Sequence, residues 1–318
     1  MPPTALPEPL PILRAKPEHP SVGRCDFLAR ANIWPPSNAI DSRLWLKNFV
    51  SKDEKAVAHD LLRGFLFFSE RMTRELFRSA VQKTMPHLVD FGRPAAEVQA
   101  AWRQAVGRML VVPVRGEAPN PTDSGFGYAR LFRDVFGLAE QQFPPIAQVA
   151  SRAYGATAPA PVVVFVDDFV GSGEQFIKLW RDEHEQQHGF GFSFQEAATS
   201  GSTQFFYCPL VATSHGIAIE HACGPRLKLC SAHVITPEYN ALSATYRFWS
   251  TPDLRQAGPT ILAEIARRAG MPDQGVDDWR GYHQLGLGLV LGDAMPDACL
   301  GAFRFNQRGW HPLFNKAG

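Results

Sequence analysis

One stretch constrains this chain more than any other. Residues 161–168 read Pro-Val-Val-Val-Phe-Val-Asp-Asp. An unbroken β-branched and aromatic run of this kind is a strand buried on both faces, as in a parallel sheet. It ends in two carboxylates, Asp167 and Asp168, and continues Phe169-Val170-Gly171-Ser172-Gly173-Glu174-Gln175. A Gly-Ser-Gly loop that opens a helix at the carboxyl edge of a parallel sheet is a place where ligands bind. Glycines let backbone amides approach an anion, and the helix N-terminus adds partial positive charge. Ser172 can donate its hydroxyl. The loop therefore suits a phosphate. The carboxylates suit sugar hydroxyls, or a hydrated magnesium ion that keeps several waters. Together they describe a site for ribose 5-phosphate.

Two neighbouring readings fail on spacing. A P-loop needs G-x-x-x-x-G-K-[ST], and no Lys follows Gly173. A dinucleotide fingerprint needs Gly directly after the strand, in the order G-x-G-x-x-G. Here two aspartates intervene, and Phe176 stands at the third Gly position. A plain strand-to-helix turn with capping carboxylates is the bland alternative.

The flanking pattern supports an α/β sheet. Residues 109–114 (MLVVPV), 203–212 (TQFFYCPLVA), 226–235 (RLKLCSAHVI) and 285–292 (LGLGLVLG) read as strands, with Pro209 weakening the second or marking a bulge. Helices are expected over 94–108, with one small, close-packed face, and over 124–136, 173–188 and 259–269, with Gly189 and Gly270 as C-caps. Ser51 with Glu54 forms a capping box, and apolar residues at helical spacing follow to Val81, a pattern that one helix or two broken near Gly64 or Ser69 would fit equally. Strands separated by helices imply a parallel sheet with right-handed crossovers. The expected organisation is a proline-rich arm over 1–37, extended or irregular and pinned by Leu10, Ile12 and Leu13 or left as a loose tail, a helical extension over 38–92, and an α/β domain over 93–318.

Composition narrows the setting. The chain has 318 residues, 45% hydrophobic, so a wholly disordered chain is excluded. The net charge of +1 gives no whole-chain footprint for nucleic acid or membrane surfaces. Five cysteines without a CxxC argue against a disulfide scaffold or a four-cysteine zinc module and fit a reducing compartment. The N-terminus lacks a signal peptide's apolar core, and no apolar run approaches the roughly 20 residues of a membrane span. The expectation is a soluble, cytoplasmic protein.

The central segment resembles the ribose-phosphate signature of type I phosphoribosyltransferases: an apolar strand, two acids, then a loop ending Thr-Gly-x-Thr. Asp167 and Asp168 match the acids, and Ser172 and Gly173 match the first Thr-Gly. Gln175 departs from the final Thr and removes one hydroxyl. The wider chain is similar to phosphoribosyltransferase-like proteins of bacterial anti-phage conflict systems, some retron-linked. The likeness is carried by Trp45-Leu46 with Phe49, Asp123-Ser124-Gly125 with Tyr128 to Arg133, the Asp-Asp-Phe-Val-Gly-Ser-Gly loop, Met295-Pro296-Asp297, and Gly309-Trp310-His311-Pro312-Leu313-Phe314. These pieces span roughly residues 45–314.

The resemblance implies a type I phosphoribosyltransferase-like fold, a parallel sheet flanked by helices with an N-terminal helical extension. It also implies a phosphoribosyl ligand, either phosphoribosyl pyrophosphate or a nucleotide. Asp167 and Asp168 would be the catalytic pair, holding the ribose directly or through magnesium. Val170, Gly171, Ser172, Gly173, Glu174 and Gln175 would hold the 5-phosphate. Arg115, Gly116, Asp123, Ser124 and Gly125 follow the first α/β strand, where such a sheet would meet pyrophosphate; a surface Arg with a turn and an N-cap is the plain alternative. The implied context is an effector or accessory protein of anti-phage defence, with a defence-system protein or nucleoprotein as partner.

Other constellations compete. His184-Glu185-Gln186-Gln187-His188 matches H-E-x-x-H, which on a helix suits zinc hydrolysis. A third ligand would have to be Glu196, His215 or Glu220. His184 also continues the Phe176–Trp180 line and so can simply pack. His221, Cys223 and Cys230 lack metal spacing and read as structural. Asp293, Met295, Pro296 and Asp297 read first as a turn after the final strand, with the pocket border as the alternative. Trp310 and Phe314 read as packing anchors. The leading reading is a phosphoribosyl-binding protein. Its rivals are a non-catalytic, partner-regulated module on the same fold and a zinc hydrolase.

Overall fold

The computed structural model describes residues 19–35, 39–115, 124–185, 189–275 and 278–315. In chain order the described strands are β1 (Leu66–Phe68), β2 (Met109–Pro113), β3 (Val162–Val170), β4 (His184–Glu185), β5 (Gly191–Phe192), β6 (Gln204–Thr213), β7 (Leu227–Leu229), β8 (His233–Ile235) and β9 (Leu289–Leu291). The main sheet runs β2-β3-β6-β7, with β8 beside β6, and all its pairings are parallel. Met109 aligns with Val162, and Val162 with Gln204.

The period of two along β3 sends its side chains into two cores. Val162, Val164 and Val166 pack with Phe77, Val81, Ala129 and Phe132 from the helices Glu70–Gln82 and Ser124–Phe136. Val163 and Phe165 pack on the other face with Val149, Phe176, Trp180 and Phe194. Burying each large apolar side chain contributes roughly 1.5–3 kcal/mol. The result is three layers, helices on both faces of a parallel sheet. A third core joins Trp45, Phe49 and Phe65 to Leu262, Phe303, Trp310 and Leu313, so N-terminal helices pack with the C-terminal segments. Trp45 donates its indole N–H to the Ala302 carbonyl at 2.6 Å. Trp310 is buried and Phe314 packs against this cluster, as their aromatic bulk suggested.

Several elements differ from the sequence pattern for identifiable reasons. Pro20–Arg30 is a helix with its proline in the first turn, where proline is tolerated, rather than part of an extended arm. Leu10, Ile12 and Leu13 lie outside the described residues. The break between the helices Lys52–Gly64 and Glu70–Gln82 is the strand β1, and Ser69 caps the second helix by accepting from the Met72 amide at 3.3 Å. The helix Ala95–Gly107 packs through Ala101, Trp102, Ala105 and Val106, of which only Ala105 is fully buried, so the face is less closely packed than expected and carries a tryptophan among its small residues. Residues 226–235 split into β7 and β8 around 230–232. Pro209, which lacks an amide donor, sits in the β6 stretch facing that gap, where its carbonyl accepts from Ala232 N at 3.4 Å. The helix expected over 259–269 begins at Pro252, capped by Thr251, and keeps Pro259 inside it. Of residues 285–292 only Leu289–Leu291 is strand, and it pairs with β1 in a separate two-stranded sheet.

The helix expected over 173–188 covers only Glu174–Arg181. The chain then turns into the antiparallel pair β4 and β5. His184 folds back, its Nε2 lying 2.9 Å from the Leu179 carbonyl and its ring 5.0 Å from that of Phe194. Gly189 therefore sits between two short strands and caps no helix.

Candidate functional site

β3 outruns its apolar stretch, and its alternation breaks after Asp167: Phe169 packs with the core of Val164 and Val166, and Val170 with that of Val163 and Phe165. Asp167 follows Phe165 toward the Phe176 face, where the Tyr207 hydroxyl donates to its Oδ2 at 2.8 Å. Asp168 stands beside it; the charges of both reach Tyr128, and that of Asp168 also reaches Asp297. Each carboxylate also accepts from the next amide: Asp168 N to Asp167 at 3.0 Å, Phe169 N to Asp168 at 2.8 Å.

The loop Val170–Gly173 is shaped by close contacts. Thr213, at the end of β6, donates its hydroxyl to the Gly171 carbonyl at 2.6 Å. Gly173 is left-handed at φ 84°, and a Cβ there would stand 2.6 Å from Ile219. Ser172 Oγ accepts from Glu174 N at 3.4 Å. Glu174 opens the helix, and its carboxylate accepts from the Tyr282 hydroxyl at 3.1 Å and pairs with His283 Nε2 at 3.0 Å. That contact ties the loop to the turn at 281–285.

These parts enclose one cavity of about 420 Å³. Every residue from Asp167 to Phe176 lines it, with Tyr207, Tyr282, Leu285 and the run Ala294–Ala298. The volume is that of a small-molecule site, about 300–1,000 Å³. Among the described lining residues are four carboxylates, Asp167, Asp168, Glu174 and Asp297, and no Lys, Arg or His.

The electrostatics follow. Burial pushes the Asp167 carboxyl well above its usual range, the Asp168 charge pushes the same way, and the Tyr207 hydrogen bond opposes both. Tyr207 is raised in turn by burial and by Asp167. Burial raises Asp297; the Arg304 charge lowers it and Asp168 raises it. Glu174, about half exposed, is held low by its hydrogen bond from His283.

The structure therefore brings Asp167, Asp168, Val170, Gly171, Ser172, Gly173, Glu174 and Gln175 together on one wall. Met295, Pro296 and Asp297 join them, so the turn after β9 borders the cavity. Arg115 does not join: its guanidinium lies 5.4 Å from the Phe126 ring, and its buried Nε has no hydrogen-bond partner among the described residues. Gly125 packs into β2, where a Cβ would stand 2.2 Å from the Val114 carbonyl. Ser124 opens its helix, while Gly116 and Asp123 lie outside the described residues. Tyr207, Thr213, Tyr282 and Leu285 escaped sequence reasoning. A lone tyrosine in the otherwise apolar 205–212 run was the available signal for the first.

The H-E-x-x-H reading loses its premise. His184 and Glu185 lie on a strand, where successive side chains point to opposite faces. His188 lies outside the described residues. Glu196 is engaged by Ser193, and Glu220 accepts from Leu229 N at 2.6 Å. Among the described residues no three His, Cys, Asp or Glu side chains are placed to hold a metal. No helix among them is long and apolar enough to cross a membrane.

An acid-tipped parallel strand that turns through a glycine loop into a helix, inside a three-layer α/β sheet, defines a phosphoribosyltransferase-like protein. The match to a family model is more particular: the chain belongs to the PRTase-CE family, whose model matches residues 43–316. No curated protein matches it.

Proposed function

We propose that the cavity binds a phosphoribosyl ligand, phosphoribosyl pyrophosphate or a nucleotide. The observation that supports this is the continuous lining of one cavity by Asp167 through Phe176. Asp167 and Asp168 take the ribose hydroxyls. The backbone amides of the 170–175 loop take the 5-phosphate, aided by the helix N-terminus.

The donor set fits magnesium. Two adjacent carboxylates, one held above its usual range by burial and by its neighbour's charge, are relieved by a divalent cation. With only the pair contributed by the protein, the ion would keep waters and ligand oxygens, as magnesium does. Bound there, it would neutralise phosphate charge and let both aspartates ionise. Transfer would pass through a ribosyl cation-like state, and the protein's contribution would be positioning and carboxylate electrostatics.

Binding without transfer is the second reading. Gln175 stands where the signature loop carries its final Thr, and among the described residues no cation lines the cavity for a leaving pyrophosphate. An effector or accessory role in anti-phage defence, with a defence-system protein or nucleoprotein partner, rests on the motif resemblance.

The test is thermal denaturation. Phosphoribosyl pyrophosphate or a nucleoside monophosphate with magnesium raises Tm, because any ligand of the native state does. Asp168→Asn abolishes the shift. No shift with any of these compounds overturns the reading.

A further inference from the structure

We propose that Asp297 is a general acid that makes this cavity a glycosidase site, in which water cleaves the N-glycosidic bond of a nucleoside 5′-monophosphate. The proposal rests on the phosphoribosyl-binding reading above and names the donor and the reaction.

The argument starts from what a leaving group requires. Pyrophosphate departs with several negative charges and needs cations around it. A nucleobase departs from ribose with one electron pair on nitrogen and needs one proton. Among the described residues the cavity wall carries four carboxylates and no Lys, Arg or His. It is built to deliver a proton rather than to hold a polyanion.

Asp297 is the carboxyl placed for delivery. Tyr207 already holds Asp167, and Glu174 is tied to Tyr282 and His283. Asp297 sits on a turn fixed at both ends. Tyr282 N donates to the Asp297 carbonyl at 2.9 Å, Leu287 N donates to the Ala298 carbonyl at 3.1 Å, and Leu291 N donates to the Ala294 carbonyl at 2.8 Å. Gly281 packs beneath, where a Cβ would stand 2.3 Å from the Ala298 carbonyl. The charged groups that reach Asp297 are Arg304, at the end of the short helix Gly301–Arg304, and Asp168 from β3, while burial favours its neutral, proton-bearing form. Phe169, Leu285, Met295 and Pro296 give the same cavity an apolar surface for a base.

The step balances without any further reactant. The C1′–N bond breaks and its electron pair goes to the base nitrogen, which takes the Asp297 proton. Asp167 and Asp168 face the positive charge that develops on the ribosyl ring. Water then bonds to C1′ and returns its proton to the Asp297 carboxylate. The products are free base and ribose 5-phosphate.

The experiment incubates the full chain with AMP, GMP, CMP, UMP and their deoxy counterparts, each with magnesium. Free base is measured by chromatography, and binding by thermal shift in parallel. At least one nucleotide is expected to release its base, with release falling on the alkaline side as the acid loses its proton. Asp297→Asn is expected to lose about 10²–10⁴-fold, the usual worth of general acid catalysis, while keeping the nucleotide-induced thermal shift. On a ribosyl 5-phosphate donor carrying 4-nitrophenolate, which departs without a proton, Asp297→Asn should stay within a few-fold of the parent. Equal impairment on both donors makes the residue structural and overturns the assignment. Nucleotide binding without base release, or release only when pyrophosphate is added, overturns the glycosidase inference and leaves the binding reading intact. No binding at all removes both.

Discussion

The Tyr207 hydroxyl donates to Asp167 Oδ2 at 2.8 Å, and both side chains are buried. The tyrosine ring also stacks on Phe176, centroids 4.1 Å apart. The bond therefore couples the acid-tipped strand to its neighbour β6 and to the helix that follows the loop. A carboxylate in such surroundings is tolerated only while its hydrogen bonds are made.

Tyr207→Phe tests this bond alone, because phenylalanine keeps the stack. Leaving a buried acceptor unpaired costs about 1–3 kcal/mol. Denaturant unfolding at neutral pH should show that loss with an unchanged m value. The same change removes the one interaction with Tyr207 that lowers Asp167, so proton affinity at Asp167 should rise further.

Asp168→Asn should make the ligand-free protein more stable at neutral pH. Asp167 binds its proton more tightly folded than unfolded, since burial and then the Asp168 charge raise it above 3.8. Its favourable contribution is full below the unfolded value and is lost as pH rises through the folded one. Removing the Asp168 charge lowers the folded value and recovers part of that loss. Denaturation at several pH values, without magnesium, should show the variant's advantage growing from acid toward neutral pH. An advantage that shrinks along that path would contradict the like-charge account.

Gly173→Ala should damage the loop by two separable effects. The residue is left-handed at φ 84°, and the added Cβ would stand 2.6 Å from Ile219. The backbone conformation alone costs a non-glycine residue about 1–3 kcal/mol. Ile219→Ala in the same chain opens space and relieves the contact but not the backbone strain. The double variant should therefore recover part of the loss relative to Gly173→Ala alone, and the ligand-induced thermal shift should stay reduced in both.

Much of this site was legible because it is local. The apolar run 162–166, the two acids and the glycines of the loop lie within a dozen residues, and β-branching and backbone freedom act at that range. Partners brought in by tertiary packing were not legible. Tyr207 is 40 residues from Asp167, and Tyr282 is 108 from Glu174. The pair β1 and β9 was hidden for the same reason. Each is three residues long, and Leu66 aligns with Leu289 across most of the chain. Asp297 reads in sequence as part of a turn; only the backbone bonds to Tyr282 and Leu287 put it on the cavity. At His184 the helical pattern ran on after packing against Phe194 had taken the side chain away, an override of periodicity by tertiary contact.

His184→Ala distinguishes packing from metal binding. The neutral ring donates from Nε2 to the Leu179 carbonyl at 2.9 Å, and burial lowers its pKa below 6.5. A histidine depressed in this way stabilises the fold above the unfolded value, and that stability is lost as pH falls toward the folded one. The parent should therefore weaken between pH 6.5 and pH 5 relative to His184→Ala, while at pH 8 the variant is the less stable of the two, by about 1 kcal/mol for the lost hydrogen bond. Metal analysis of the parent and of His184→Ala should find no stoichiometric zinc in either. Zinc bound one per chain and lost in His188→Ala would restore the hydrolase reading and displace the phosphoribosyl one.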